Sequence, residues 1–158
     1  MGFGVVRAVA RVGMLTNTQS TIKTTEFSTA STTFVDVTGL AVVITPLFST
    51  SKILVIVSIY TSQIIGGLNT FNIVRGSTNI AQPSAAADSG SMNSSLAQPE
   101  GVIDETVALT FLDSPATTSA TTYKIQMKVS SNTGYVCRRG DRASVSAAST
   151  ITVIEVLQ

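Results

Sequence analysis

One run constrains this chain more than any other: Lys52-Ile53-Leu54-Val55-Ile56-Val57-Ser58-Ile59-Tyr60-Thr61. Branching at Cβ stiffens Val and Ile and suits them to the pleated, extended backbone. Side chains of a strand alternate between its faces. Ile53, Val55, Val57 and Ile59 therefore share one face, and Leu54 and Ile56 share the other. Both faces are apolar, so both want cover, and the run is expected to be a central strand of a β-sandwich. At least one of its faces is expected to lie fully in the core.

The rest of the chain repeats the theme at shorter length. Thr33 to Thr38 alternates, and Gly39 turns it. Leu40 to Thr45 is a dense apolar strand that Pro46 stops. Gly66-Gly67 is a turn, not a phosphate cradle, because no helix follows it. Phe71 to Arg75 is a strand ended by Gly76-Ser77-Thr78. Further strands are expected over Glu105–Leu112, Thr122–Val129, Tyr135–Arg138 and Ser149–Leu157, separated by turn clusters at Asp113-Ser114-Pro115 and Asn132-Thr133-Gly134. Between them, residues 82–101 show no clear period and are expected to form a long loop used for contact. The sum is an all-β chain: an antiparallel, jelly-roll-like β-sandwich of about eight strands with little helix. Composition agrees, since Ser and Thr supply 43 of the 158 residues. A chain of this length forms one domain with one core.

Two segments divide it. Residues 26–158 are expected to be the sandwich, and residues 1–25 an N-terminal arm or linker. Thr16-Asn17-Thr18-Gln19-Ser20 reads as polar linker. Upstream, Val5, Val9 and Val12 share a face at helical period, whereas Arg7, Val9 and Arg11 share one at strand period. The two templates tie, so residues 5–12 are either an arm or a first strand of the sandwich. Arg7, Arg11 and Lys23 precede the first acidic residue, Glu26, which makes this end basic. It never reaches a continuous apolar core and reads as part of the protein, not as a signal peptide.

Charged residues are only 12% of the chain, about half the usual share, and the net charge is +1. Low charge suits a chain packed against copies of itself or other subunits. A net charge near zero sets up no field that would draw nucleic acid or an anionic membrane, and basic residues do not interleave with aromatics. Neither partner is expected. No apolar run is long enough for a spanning helix.

The inventory of reactive groups argues for binding, not catalysis. The sequence has no His and a single Cys, Cys137. Ser-His-Asp, Cys-His and zinc arrangements therefore cannot be assembled. Cys137 has no partner for an intramolecular disulfide and fits synthesis in a reducing compartment. A Ser-Lys pair would have to use Lys23, Lys52, Lys124 or Lys128. Asp104 and Glu105 are adjacent, so in a strand they face opposite ways and make no carboxylate pair. No loop carries an acidic series for calcium. No cofactor or metal is expected, and the chain is expected not to be an enzyme.

Arg138-Arg139-Gly140-Asp141-Arg142 concentrates three of the ten basic residues. Its central Arg-Gly-Asp matches an integrin-binding tripeptide, but Gly and Asp make it first of all a tight turn. The arginines could pair with carboxylates of a neighbour. Arg7, Arg11, Arg138, Arg139 and Arg142 are the candidate partner-binding residues. Asn93-Ser94-Ser95 has the form of a glycosylation sequon and is read as chance.

Taken in order, several stretches carry a resemblance. They are Ser31-Thr32-Thr33-Phe34-Val35-Asp36-Val37-Thr38-Gly39-Leu40, Ile44-Thr45-Pro46, Ser49-Thr50-Ser51-Lys52-Ile53-Leu54-Val55, Phe111-Leu112-Asp113-Ser114-Pro115, Thr121-Thr122-Tyr123-Lys124 and Ser149-Thr150-Ile151-Thr152-Val153-Ile154-Glu155. Together they resemble small β-sandwich structural proteins of tailed phages, notably those of cyanobacterial and other aquatic viruses. The similarity runs from about Glu26 to Leu157. It implies a jelly-roll-like sandwich that forms a homotrimer. The role it implies is capsid cement or decoration, the trimer binding across major capsid protein subunits on the outer surface of the virion after synthesis in the host cytoplasm. The alternative it implies is a tail-fibre or receptor-binding module that contacts the host surface.

Overall fold

The computed structural model describes residues 13–64, 66–84, 89–95 and 101–158, and within them every regular element is a β-strand. In chain order these are β1 (Leu15–Lys23), β2 (Phe27–Thr29), β3 (Val35–Ile44), β4 (Lys52–Ile64), β5 (Leu68–Arg75), β6 (Thr78–Ile80), β7 (Met92–Ser95), β8 (Val102–Asp113), β9 (Thr121–Val129), β10 (Gly134–Val136) and β11 (Ser149–Val156). They form two antiparallel sheets. In the first, β4 pairs β8 along one edge; along the other it pairs β11 and then β10, which in turn pair β1 and β2. In the second the order is β3-β9-β5, with β6 and β7 sharing the far edge of β5.

Treating β6 and β7 as one position and setting the short β2 and β10 aside leaves eight positions. The first sheet then reads first-eighth-third-sixth, and the second reads second-seventh-fourth-fifth. That is jelly-roll strand order, two interleaved Greek keys closing one sandwich. The fold class expected from the sequence is the one observed.

β4 is the axis of the first sheet. Ile53, Val55, Val57 and Ile59 are at most 1% exposed, and they meet Phe71, Ile73, Tyr123, Ile125 and Met127 of the second sheet. Val107, Leu109 and Phe111 of β8 pack against the same core. A polar clamp joins the two sheets at one end. Asp113, at the end of β8, accepts from the Arg75 guanidinium at 2.7 Å and 2.8 Å and from the Tyr123 hydroxyl at 2.7 Å. Burial, and the bond to a carboxylate, push the Tyr123 phenol well above its usual range.

Three expectations need correction. Leu15–Lys23 is no linker but a strand, registered with β11 from Leu15 against Val156 to Lys23 against Ser149. The sandwich therefore begins before residue 26. The alternation that marks a strand is missing from β1 because its inner face is polar. Thr21 donates to the carbonyl of Ala41, Asn17 to that of Thr45, and Lys23 is buried with its amine on the Thr25 hydroxyl. Second, the expected loop over residues 82–101 contains β7, whose Met92 and Ser94 are buried. One apolar residue in four is too little to announce a strand. Third, Gly39 does not end a strand: β3 runs through it, with a register shift between Asp36 and Ala41 and a φ of 81° at Gly39. Such a shift is a bulge, and a positive φ there favours glycine. Residues 5–12, which carry the arm-or-strand question, lie outside the described residues.

Candidate interaction surface

The outer face of the first sheet follows from its pleat. With the odd positions of β4 turned into the core, Leu54, Ile56 and Ser58 turn outward. Pairing sets them in rows across four strands. One row is Leu112, Leu54, Ile154 and Thr18; the next is Thr110, Ile56, Thr152 and Ser20; the third is Ala108, Ser58, Thr150 and Ile22. No residue of this grid carries a charge. Leu112, Ile56 and Ile22 are 44%, 38% and 64% exposed. The hydroxyls of Ser20 and Thr152 bond each other at 2.8 Å across the β1–β11 pair. Beyond these three rows stand Lys52, Val156 and Leu15, where Lys52 brings a positive charge to that end of the face. At that end of the sandwich the β3–β4 loop adds exposed Leu47 and Phe48, and it is pinned by the backbone N–H of Leu47 donating to the buried Glu155 carboxylate at 2.7 Å.

The outer face of the second sheet is different. Asp36 accepts from Lys124 at 2.7 Å and from Gln126 at 2.8 Å, and these donors hold its carboxyl below the usual range. Lys128 sits 5.3 Å from the centre of the Phe34 ring. Farther along, Asn72 is buried beneath the segment after β6, where Gln82 donates to it. This face is solvated and charged on one side and covered by its own chain on the other.

At the end of the first sheet away from Lys52 lies the arginine cluster. Arg142 N–H bonds the Arg139 carbonyl, which closes Arg139-Gly140-Asp141-Arg142 into a turn. The Arg-Gly-Asp tripeptide is spent within it: the Arg139 Nε donates to Asp141 at 2.8 Å, while its terminal nitrogen lies 3.5 Å from Asp104. Asp104 also accepts from the Tyr60 hydroxyl at 2.8 Å, and burial together with this bond raises Tyr60 to about 12. Arg138 pairs with Glu26 at 3.2 Å and stacks on the Tyr135 ring at 4.9 Å. Two of the five candidate arginines are thus engaged within the chain, where the sequence reading offered them to a neighbour. Arg142 is exposed on the same turn. Arg7 and Arg11 lie outside the described residues.

The three arginines belong to one end of the first sheet, beyond the uncharged grid, and do not form its centre. The grid itself was missed by sequence reasoning, although its signal is present. Thr106 to Leu112 and Thr150 to Ile154 carry no charge on either face of the strand, where a solvated face alternates with charge. Cys137 is buried, its thiol against the Lys23 carbonyl and the Ser149 hydroxyl, each at 3.2 Å. No helix among the described residues is long and apolar enough to cross a membrane. No family model matches this chain, and no curated protein matches it.

Proposed function

We propose that this chain is a structural subunit of a tailed-phage particle, a capsid cement or decoration protein that acts by binding. It works as a homotrimer on the outer surface of the head, spanning neighbouring major capsid protein subunits and holding them together. The resemblance in its strand and turn motifs supports the phage assignment. The observation that carries a binding role is the set of three uncharged, partly apolar rows on the outer face of the first sheet, with arginines at one end of that sheet. The centre of a protein interface is depleted of charge, and arginine is enriched around it. Several moderate contacts per trimer then add up by avidity, with no single strong site.

Purified virions test this reading. Quantitative mass spectrometry is expected to find the protein in a copy number comparable with that of the capsid subunit, and antibody labelling is expected to decorate the head. A handful of copies located at the tail would replace the reading with the tail-fibre or receptor-binding alternative. Absence from washed particles would refute both.

A further inference from the structure

We infer that the outer face of the first sheet, with the edge of β8 away from β4, is where a second copy of this chain docks. The inference rests on the homo-oligomer in the proposed function and goes beyond it by naming the surface. Two independent observations meet there. The first is the grid of uncharged residues across β8, β4, β11 and β1. The second is the edge of β8. Its twelve residues pair β4 along one side, and among the described residues no strand pairs the other. Between Glu105 and Asp113 this edge reads Thr-Val-Ala-Leu-Thr-Phe-Leu, without charge or proline. Long, uncharged, β-favouring edges are templates for association, and proteins that stay monomeric interrupt them with charge, proline or a bulge. β8 has none of these over that stretch. Grid and edge are continuous, since Ala108, Thr110 and Leu112 belong to both.

The chemistry favours a copy of the same chain as the occupant. A grid without charge has nothing to repel its own duplicate, and hydroxyls such as those of Ser20, Thr150 and Thr152 can donate or accept when they meet their own kind. The second sheet could not self-pair in this way, because Asp36, Lys124 and Lys128 stand on it. Size fits as well. With strands about 4.8 Å apart and same-face residues about 6.7 Å apart, the three uncharged rows cover about 400 Å². Three such faces turned to a common axis bury about 1,200 Å² in the trimer as a whole, past the roughly 1,000 Å² that a specific association needs. Each face is shared between two neighbours there, and the β8 edge adds to every contact.

Sedimentation velocity of the full chain at micromolar concentration, with circular dichroism as a check on folding, tests the inference. Wild type is expected at the three-chain mass. Ile56→Lys, at the centre of the grid, is expected at the one-chain mass with an unchanged β spectrum. Val43→Lys replaces a comparably exposed side chain on the other sheet and is expected to remain assembled. If Ile56→Lys fails to fold, Thr152→Arg on the neighbouring strand makes the same test. Hydrogen exchange on wild type adds a reading without mutation: amides of Thr106 to Leu112 are expected to gain protection as concentration rises through the assembly range. An Ile56→Lys or Thr152→Arg protein that folds and still assembles like wild type overturns the surface and leaves the homo-oligomer standing. A wild-type monomer overturns both.

Discussion

Single residues hold this sandwich at places where its apolar core stops. Asp113 is nearly buried and serves two donors from the opposite sheet, Arg75 and Tyr123. Removing its carboxylate leaves the phenol without its acceptor and the guanidinium with the Ser114 carbonyl at 3.3 Å. Asp113→Ala is expected to cost about 3 kcal/mol, measured by urea unfolding, because breaking one side of a buried pair costs more than the pair itself contributes. Partial exposure of Arg75 places the effect at the low end. A variant within about 0.5 kcal/mol of wild type, the range of ordinary surface changes, would show that the clamp is idle. Glu155 plays a comparable part, with no cation paired to it among the described residues. It is fully buried and accepts from the Leu47 backbone and, at 3.4 Å, from Asn17. Glu155→Ala is expected to cost about 1–3 kcal/mol through the unpaired Leu47 N–H, and to raise hydrogen exchange at that amide specifically. Neither role was legible beforehand. Asp113 reads as a turn residue before Ser114-Pro115, and Glu155 as one more position of the last strand. Only the pairing of strands distant in sequence gives each its partners.

At the level of elements, legibility followed hydrophobic alternation. β4, β9 and β11 were plain because most of their inner positions are Val, Ile, Met and Tyr. The two-faced run in β4 also gave its place, since a strand flanked by β8 on one side and β11 on the other is central. β1 stayed hidden because it inverts the pattern, turning Asn17, Thr21 and Lys23 inward and leaving Leu15 and Ile22 exposed. The surface was half legible: the arginine cluster stood out as charge, whereas the grid needs register to bring Leu112, Leu54 and Ile154 into one row. One substitution and one deletion probe these elements. Val55→Asp places a carboxylate at a fully buried position among apolar neighbours and is expected to abolish folding, seen as loss of the cooperative unfolding transition. Removing residues 1–23 takes away β1, bares the edge of β11 and strips Glu155 of Asn17. It is expected to yield aggregating protein, not a folded sandwich lacking only an attachment arm. A soluble, cooperatively folding truncation would return Leu15–Lys23 to the role of a detachable segment.

For the whole molecule, pH offers a test of how β8 is held. This strand is fastened near each end by a tyrosine. Tyr60 donates to Asp104, and nine residues on Tyr123 donates to Asp113. Both phenols must be protonated to donate, and ionising either would set an anion beside a carboxylate in a desolvated place. The folded state therefore holds these protons more tightly than the unfolded chain, whose tyrosines titrate near 10. Tyr60 is raised to about 12, and Tyr123 is raised in the same direction. The linkage has one sign: the folded state binds more protons, so stability falls as pH rises. The contribution is fully present below pH 10 and is lost from there to about pH 12 through Tyr60, with Tyr123 extending the loss. Urea midpoints measured across that range are expected to decline in wild type. Tyr60→Phe keeps the ring and removes the titrating hydroxyl, so it is expected to be less stable at neutral pH but to decline less steeply between pH 10 and 12. β8 also carries the proposed docking edge, so assembly is expected to weaken over the same interval, before the sandwich unfolds. Equal slopes in wild type and Tyr60→Phe would mean that the Tyr60–Asp104 bond does not fasten the strand, and that β8 stays in place through its pairing with β4 alone.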